Sequence, residues 1–285
     1  MLRRDFIAGT LAATVMAGAQ AGAATSSAAT QRFTTLQKFR VYDCLMFTNK
    51  PDLTPLGFAD CKISYAQYLW PSKQRDTPDP NHIRTVHIPR IFKNKLPDLH
   101  VLDIEHWPKK VSKDGPKNVE ETITKLETIL DIFRESTPSI PHGLYGLLPT
   151  RNYWTPVRGK RAEVEEWQED NIFLSPLGNH VDVICPSLYT FYDEPENWVT
   201  YAKANIDEAR RYNKPVVPFI WPQYHVSNKS LKGTLVSRPF WRTQLETMHA
   251  NADGVVIWGG FREEWDANAP WFEETVSFIK QTGAR

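Results

Sequence analysis

From residue 33 onward, short β-branched or apolar runs alternate with longer stretches whose apolar residues recur every three or four positions. That pattern predicts parallel βα units and not a sandwich. Seven runs read as strands: 40–48, 85–89, 99–106, 143–148, 181–189, 216–221 and 254–259. Most are uniformly apolar, as strands buried on both faces are. Between them, 119–135 carries Val119, Ile123, Leu126, Leu130 and Phe133 at helical spacing with Asn118 placed as N-cap. The stretches 163–173, 198–212, 240–250 and 271–282 repeat the helical period, and the Pro-rich stretch 50–80 reads as a long loop after the first strand. The pattern suits an α/β fold with a single TIM-like, distorted barrel of about seven strands over 33–285. A doubly wound sheet would begin on a Gly-rich turn, and no GxGxxG or Walker sequence is present.

Ahead of that body, 1–24 has the form of a secretory leader: Arg3-Arg4-Asp5-Phe6-Ile7, a small-residue apolar run, then Ala19-Gln20-Ala21. The apolar run is too short for a membrane span. Its paired arginines resemble a twin-arginine signal, which predicts the export machinery of that pathway as a partner and a periplasmic or secreted location. Residues 25–32 read as a flexible linker.

Charge narrows the partners. Lys plus Arg number 34 and Asp plus Glu 33 in 285 residues, a net +1, so no basic field is available for nucleic acid or an anionic membrane surface. Aromatic residues are 12% with 10 Trp, and Pro (21) outnumbers Gly (14); rigid loops and flat apolar surfaces follow. Cys44, Cys61 and Cys185 allow one disulfide, with Cys44 and Cys61 close in sequence, yet Cys44 and Cys185 sit in apolar runs where Cys is an inert small hydrophobe. Their pairing stays open. No Cys/His ligand spacing occurs, so neither a metal nor an organic cofactor is implied.

The chemistry of a β/α barrel lies where its strands end. The 99–106 run ends in Val101-Leu-Asp103-Ile-Glu105-His-Trp107-Pro108, which puts two carboxylates on one side of the strand and Leu102 and Ile104 on the other. Paired carboxylates in a barrel mouth repel and lose hydration unless one is protonated, the condition that readies a general acid near neutral pH. Other strands end on aromatics: Tyr145, Tyr189 and Trp258, joined by Trp107. Phenol hydroxyls and an indole face around a carboxylate pair make a sugar subsite.

These same segments resemble the hyaluronidase family of glycoside hydrolases: Val101 to Pro108, Gly143-Leu-Tyr-Gly146, Pro186-Ser-Leu-Tyr189 and Gly254-Val-Val-Ile-Trp258, in matching order. The resemblance implies a distorted β/α barrel that cleaves N-acetylhexosamine-containing glycan with retention. In it Glu105 is the general acid/base, and Asp103 orients the substrate's own acetamido group, whose oxygen attacks the anomeric carbon. Tyr145 and Tyr189 would contact that group and the sugar, with Trp258 as a wall. The chain departs from the family at Ile104, His106 and Pro108 and lacks its disulfide loop after Gly146. Arg151, His225 and Arg262, in loops after strands, could take an acidic sugar, though each singly also reads as surface charge. Two other readings remain: a glycosidase using a second carboxylate such as Asp193, Glu194, Glu263 or Glu264, and a noncatalytic carbohydrate-binding envelope protein. A monomer with an oligosaccharide or polysaccharide ligand is expected.

Overall fold

The computed structural model describes residues 38–71 and 77–284. The expected leader and linker, 1–24 and 25–32, lie outside the described residues. Seven parallel strands are present: β1 (Arg40–Leu45), β2 (Ala59–Tyr65), β3 (Leu99–Asp103), β4 (His142–Tyr145), β5 (Val183–Cys185), β6 (Phe219–Ile220) and β7 (Gly254–Gly259). They form one sheet in the order β5-β4-β3-β2-β1-β7-β6. Backbone bridges Ile184–Val216 and Ser187–Phe219 bring its two edges together into a barrel. Around it stand five long helices, α1 (Pro116–Ser136), α2 (Arg161–Phe173), α3 (Pro195–Arg210), α4 (Arg238–Asn251) and α5 (Pro270–Thr282). The predicted single β/α barrel of seven strands is the observed fold, though one predicted strand is replaced by another.

The run 85–89 is not a strand. It lies in the helical turns Ile83–His87 and Ile88–Ile91. Asp79 starts this segment: its carboxylate accepts the His82 N–H at 3.0 Å, and Pro80 occupies the first turn. The missing strand is β2, inside the stretch predicted as loop. Asp60, Lys62 and Ser64 disguise it by alternating with Cys61 and Ile63, and Ser64 is fully buried. Its hydroxyl meets His87 Nε2 at 2.7 Å and His100 Nε2 at 2.8 Å, and His100 Nδ1 meets His142 Nδ1 at 2.9 Å. These imidazoles lie between strands and helix, with His100 stacked on Phe133 of α1 at 4.3 Å. Burial lowers the pKa of His87 and of His142 to about 4, and that of His100 well below its ordinary value.

Asn118 is not the N-cap of α1. Gly115, at φ 80, ends the preceding turn Val111–Asp114, and Pro116 starts the helix. Proline in the first turn of α1, α3, α4 and α5 likewise sets each start ahead of the first apolar residue of its period. Strands β5 and β6 are shorter than their apolar runs because Pro186 and Pro218 interrupt these runs and donate no ladder hydrogen bond.

The three cysteines are free and buried. Cys44 follows Asp43, which pairs with Asp60 across the β1–β2 ladder, so Cys44 and Cys61 lie on neighbouring strands as reduced thiols. Burial, aided by Cys44, raises the Cys61 pKa well above the thiol range, which leaves it unreactive. Cys185 requires a glycine across from it. A Cβ at position 143 would stand 2.7 Å from the Cys185 sulfur and 3.0 Å from Val183 Cγ1.

Candidate active site

Asp103 is the last residue of β3, and Glu105 follows in the loop. The strand places Asp103 level with Tyr65 of β2, inside the mouth, while Glu105 reaches outward with its side chain 51% exposed. One oxygen of Asp103, Oδ1, is buried without a hydrogen-bond partner among the described residues. Burial raises the Asp103 pKa from 3.8 to about 7, and the nearby Glu105 charge adds to the rise, while Lys109 and Arg151 oppose it. The two carboxyls therefore coexist because the inner one keeps its proton near neutral pH. The raised group is thus Asp103, whereas the resemblance makes Glu105 the general acid.

Cations flank the outer carboxyl. Arg151 Nη1, in the loop after β4, lies 3.3 Å from Glu105 Oε1, and Lys109 Nζ donates to the Glu105 carbonyl at 2.9 Å. Burial lowers the Lys109 pKa, against the pull of Glu105. The Coulomb interaction in the Arg151–Glu105 pair is weak at this exposure, so a ligand can displace it.

The wall beside Asp103 is aromatic. Tyr145, ending β4, shares a hydrogen bond of 2.9 Å with Ser187 Oγ, and its ring lies 5.8 Å from Tyr189. Tyr189 stacks on Trp258 of β7 at 5.5 Å and 27°. Trp258 Nε1 donates to the Tyr65 hydroxyl at 3.0 Å, which ties β7 to β2 across the mouth. Trp221, after β6, completes the group at 5.2 Å from Trp258 and 5.6 Å from Tyr189, and its buried indole N–H has no partner among the described residues. Burial raises the pKa of Tyr65, Tyr145 and Tyr189, so all three remain neutral donors. Behind Trp258, Gly259 leads into Gly260 at φ 76, where a Cβ would lie 2.3 Å from the Phe47 ring; the turn that carries the indole needs glycine there.

Asp103, Glu105, Tyr145, Arg151, Tyr189 and Trp258 thus share one mouth. Trp107 does not face it with them. Its ring is buried against Trp70 at 5.8 Å, with the Lys125 ammonium 5.3 Å over it. His225 reaches the rim 6.2 Å from Tyr189, and burial, then Arg151, lower its pKa. The Arg262 guanidinium folds over Phe261 at 4.9 Å. The alternative carboxylates have local partners: Asp193 takes the Asn228 amide at 2.7 Å, Glu194 the Asn197 amide at 3.3 Å, Glu263 the Gln223 amide at 3.2 Å and Glu264 the Asn49 amide at 3.5 Å. Sequence reasoning missed Tyr65, Lys109, Ser187 and Trp221. Tyr65 went with its disguised strand, and Trp221 carried a signal, since it ends the 216–221 run as Trp258 nearly ends 254–259.

Among the described residues, no group of three or more His, Cys, Asp or Glu side chains is placed to hold a metal ion. No described helix is long and apolar enough to cross a membrane.

No protein-family model matches the chain, and no curated protein sequence does. Solved structures do. Bee venom hyaluronidase in complex with a hyaluronic acid tetramer superposes with a TM-score of 0.61 at 16% identity, covering 86% of this chain and 96% of that one. A monoclinic crystal structure of bee venom hyaluronidase gives 0.58 at 15% identity, covering 86% and 97%. At such identities the likeness is one of fold: the chain is a β/α barrel built like that of bee venom hyaluronidase.

Proposed function

We propose that the chain is a retaining glycoside hydrolase acting on N-acetylhexosamine-containing glycan, with the substrate's acetamido group as nucleophile. The observation that carries this reading is the half-buried Asp103, its Oδ1 enclosed without a partner among the described residues, beside the outward Glu105 and under Tyr145, Tyr189 and Trp258. The one proton of the pair passes from Asp103 to Glu105 as substrate binds, and Glu105 gives it to the leaving glycosidic oxygen as the acetamido carbonyl oxygen bonds to the anomeric carbon and the glycosidic bond breaks, forming a cyclic oxazolinium ion. Asp103, left as a carboxylate by that transfer, accepts the acetamido N–H and stabilises the positive charge that develops on the group. Glu105, now a carboxylate, then takes a proton from the water that opens the ring, and two inversions give net retention. Tyr189 and Tyr145 offer neutral hydroxyls to the acetamido group, and Trp258 and Trp221 form the apolar wall for the sugar. The orphaned Asp103 Oδ1 and Trp221 N–H are buried polar groups that a bound sugar could pair.

The reading is tested by incubating the protein with glycosaminoglycans, chitin-type oligomers and peptidoglycan at pH values from about 4 to 7, where such an acid operates, and measuring new reducing ends. Release confined to acetamido polymers, and lost in Glu105→Gln, supports it. Comparable turnover of substrates lacking the acetamido group points to a second carboxylate, and binding without release at any pH points to a noncatalytic glycan-binding protein.

We further propose that residues 1–24 export the folded monomer by the twin-arginine route to the periplasm or beyond, on the strength of Arg3-Arg4 and the run that follows. Replacing both arginines by lysine should trap the protein in the cytoplasm on fractionation; unchanged export would exclude this route.

A further inference from the structure

A second cavity, of about 280 Å³, opens between the loops after β3 and β4. Lys110, Asn152, Trp154, Arg158, Glu163 and Glu166 line it. Its volume sits just under the roughly 300–1,000 Å³ of drug-sized ligand sites. Trp154 is 45% exposed, an unusual display for an indole, yet the loop that carries it is pinned from several sides. Asn152 Oδ1 accepts the Thr155 N–H at 3.2 Å, Asn205 donates to the Asn152 carbonyl at 3.3 Å, and Trp167 Nε1 donates to the Thr150 carbonyl at 2.8 Å. The indole is thus presented in a set position, which lowers the ordering cost of binding to it.

Polar groups converge on the ring. The Arg158 guanidinium lies over it at 5.7 Å, loosely paired with Glu163 at 3.9 Å. Tyr192 meets it edge to face at 5.2 Å, and the Tyr192 hydroxyl is buried without a partner among the described residues. Arg158 acts electrostatically on that hydroxyl, opposing the rise that burial and Tyr153 give its pKa. Two cations, Lys110 and Arg158, face three carboxylates, Glu163, Glu166 and Asp170, the last taken up by the Ser112 N–H at 2.9 Å and hydroxyl at 2.8 Å, so the cavity offers no excess of positive charge to hold an anion. An apolar ring face bordered by both donors and acceptors fits a neutral sugar, whose CH face stacks while its hydroxyls bond at the edge.

The cavity also adjoins the candidate active site. Arg151, which touches Glu105, is three residues from Trp154, at most about 11 Å along the chain. A short oligosaccharide covers that distance. We propose that Trp154, with Arg158 and Asn152, forms a distal subsite that holds a neutral sugar residue of the same glycan whose cleavage point lies at Asp103 and Glu105, which makes the protein selective for longer chains. This inference rests on the glycan reading above.

The test uses Glu105→Gln protein, to prevent turnover, and N-acetylglucosamine oligosaccharides of two and six units, with Kd measured by calorimetry. In that background, Trp154→Ala should weaken the hexamer about tenfold, the scale of one aromatic contact, and leave the dimer unchanged. Trp154→Phe should keep most of the affinity and serve as the check that folding is intact. Tighter binding of hexamer than dimer that persists in Trp154→Ala overturns the subsite and leaves the glycan reading standing. Equal affinity for the two lengths in the Glu105→Gln parent also overturns the subsite alone. No binding of either length to that parent overturns both.

Discussion

Asp103→Asn should make the protein more stable at pH 8 and leave it little changed at pH 4. The unfolded carboxyl ionises near its ordinary 3.8, whereas in the fold burial and Glu105 hold the proton on until about 7. Between these values the folded state binds one proton more than the unfolded state. Wild-type stability therefore falls as pH rises from about 4 to about 7, and above that the penalty is complete. At about 1.4 kcal/mol per pH unit, the span amounts to an order of about 4 kcal/mol, or roughly 10 °C in Tm for a domain of this size. Asparagine carries no charge at any of these pH values. Its own misfit, an amide beside the spot where Oδ1 lacks a partner, costs the same throughout and cancels when pH 8 is compared with pH 4. Urea denaturation followed by Trp fluorescence at pH 4, 5.5, 7 and 8, on wild type and variant, measures the difference directly. A stability difference that stays flat from pH 4 to 8, or one that favours wild type increasingly as pH rises, would show that Asp103 is a compensated carboxylate and refute the reasoning. Loss of hydrolysis in the same stabilised variant would mark the buried acid as kept for function at the expense of stability.

Other outcomes follow from the same physics. Glu105→Gln should lower hydrolysis by about 10²–10⁴-fold, the usual contribution of a general acid, with an unchanged circular dichroism spectrum. It should also bring the Asp103 carboxyl titration, read by ¹³C NMR, below about 7 while burial keeps it above 3.8. The buried imidazoles act in the opposite direction from Asp103. The unfolded chain takes up protons below about 6.5 and folded His87 and His142 do not until about 4, so their contribution is complete above 6.5 and is lost as pH falls toward 4. Asp103→Asn protein should still show this acid-side loss, and adding His87→Gln should make it shallower by about 1.4 kcal/mol per pH unit; an unchanged slope would mean that His87 titrates normally. Native protein should show no thiol reactive toward an aromatic disulfide reagent and all 3 in guanidinium, since Cys44, Cys61 and Cys185 are free and buried.

The barrel was legible because its signals are local. A strand buried on both faces reads as an apolar run, and a surface helix reads as a 3.6-residue period, wherever the chain later packs. Asp103 and Glu105, two residues apart at the end of such a run, and Tyr145, Tyr189 and Trp258, each at or near the end of another, could be picked out for the same reason. β2 could not. Ser64 is acceptable in a buried strand only because His87 and His100, 23 and 36 residues away, supply its hydrogen bonds. The run 85–89 failed in the other direction: its β-branched residues suit a strand, but the Asp79 cap and Pro80 started a helix first.

Within the site, the residue types followed from sequence, while their division of labour came from tertiary burial. Nothing in Asp-x-Glu says that the first acid is enclosed by Tyr65 and its neighbours and the second lies open beside Arg151. That choice depends on where β3 stops and how the loops after β3 and β4 fold over its end. The same holds for Trp107, turned into the core against Trp70, and for Trp154, turned out to solvent. The sequence by itself determined the periodicities, the strand-end chemistry and the near-neutral charge, because each is a property of neighbours along the chain. Solvent exposure, the position of the buried proton and the pairing of polar groups distant in sequence were decided only by the tertiary structure, because dielectric environment and long-range hydrogen bonds exist only once the chain is packed.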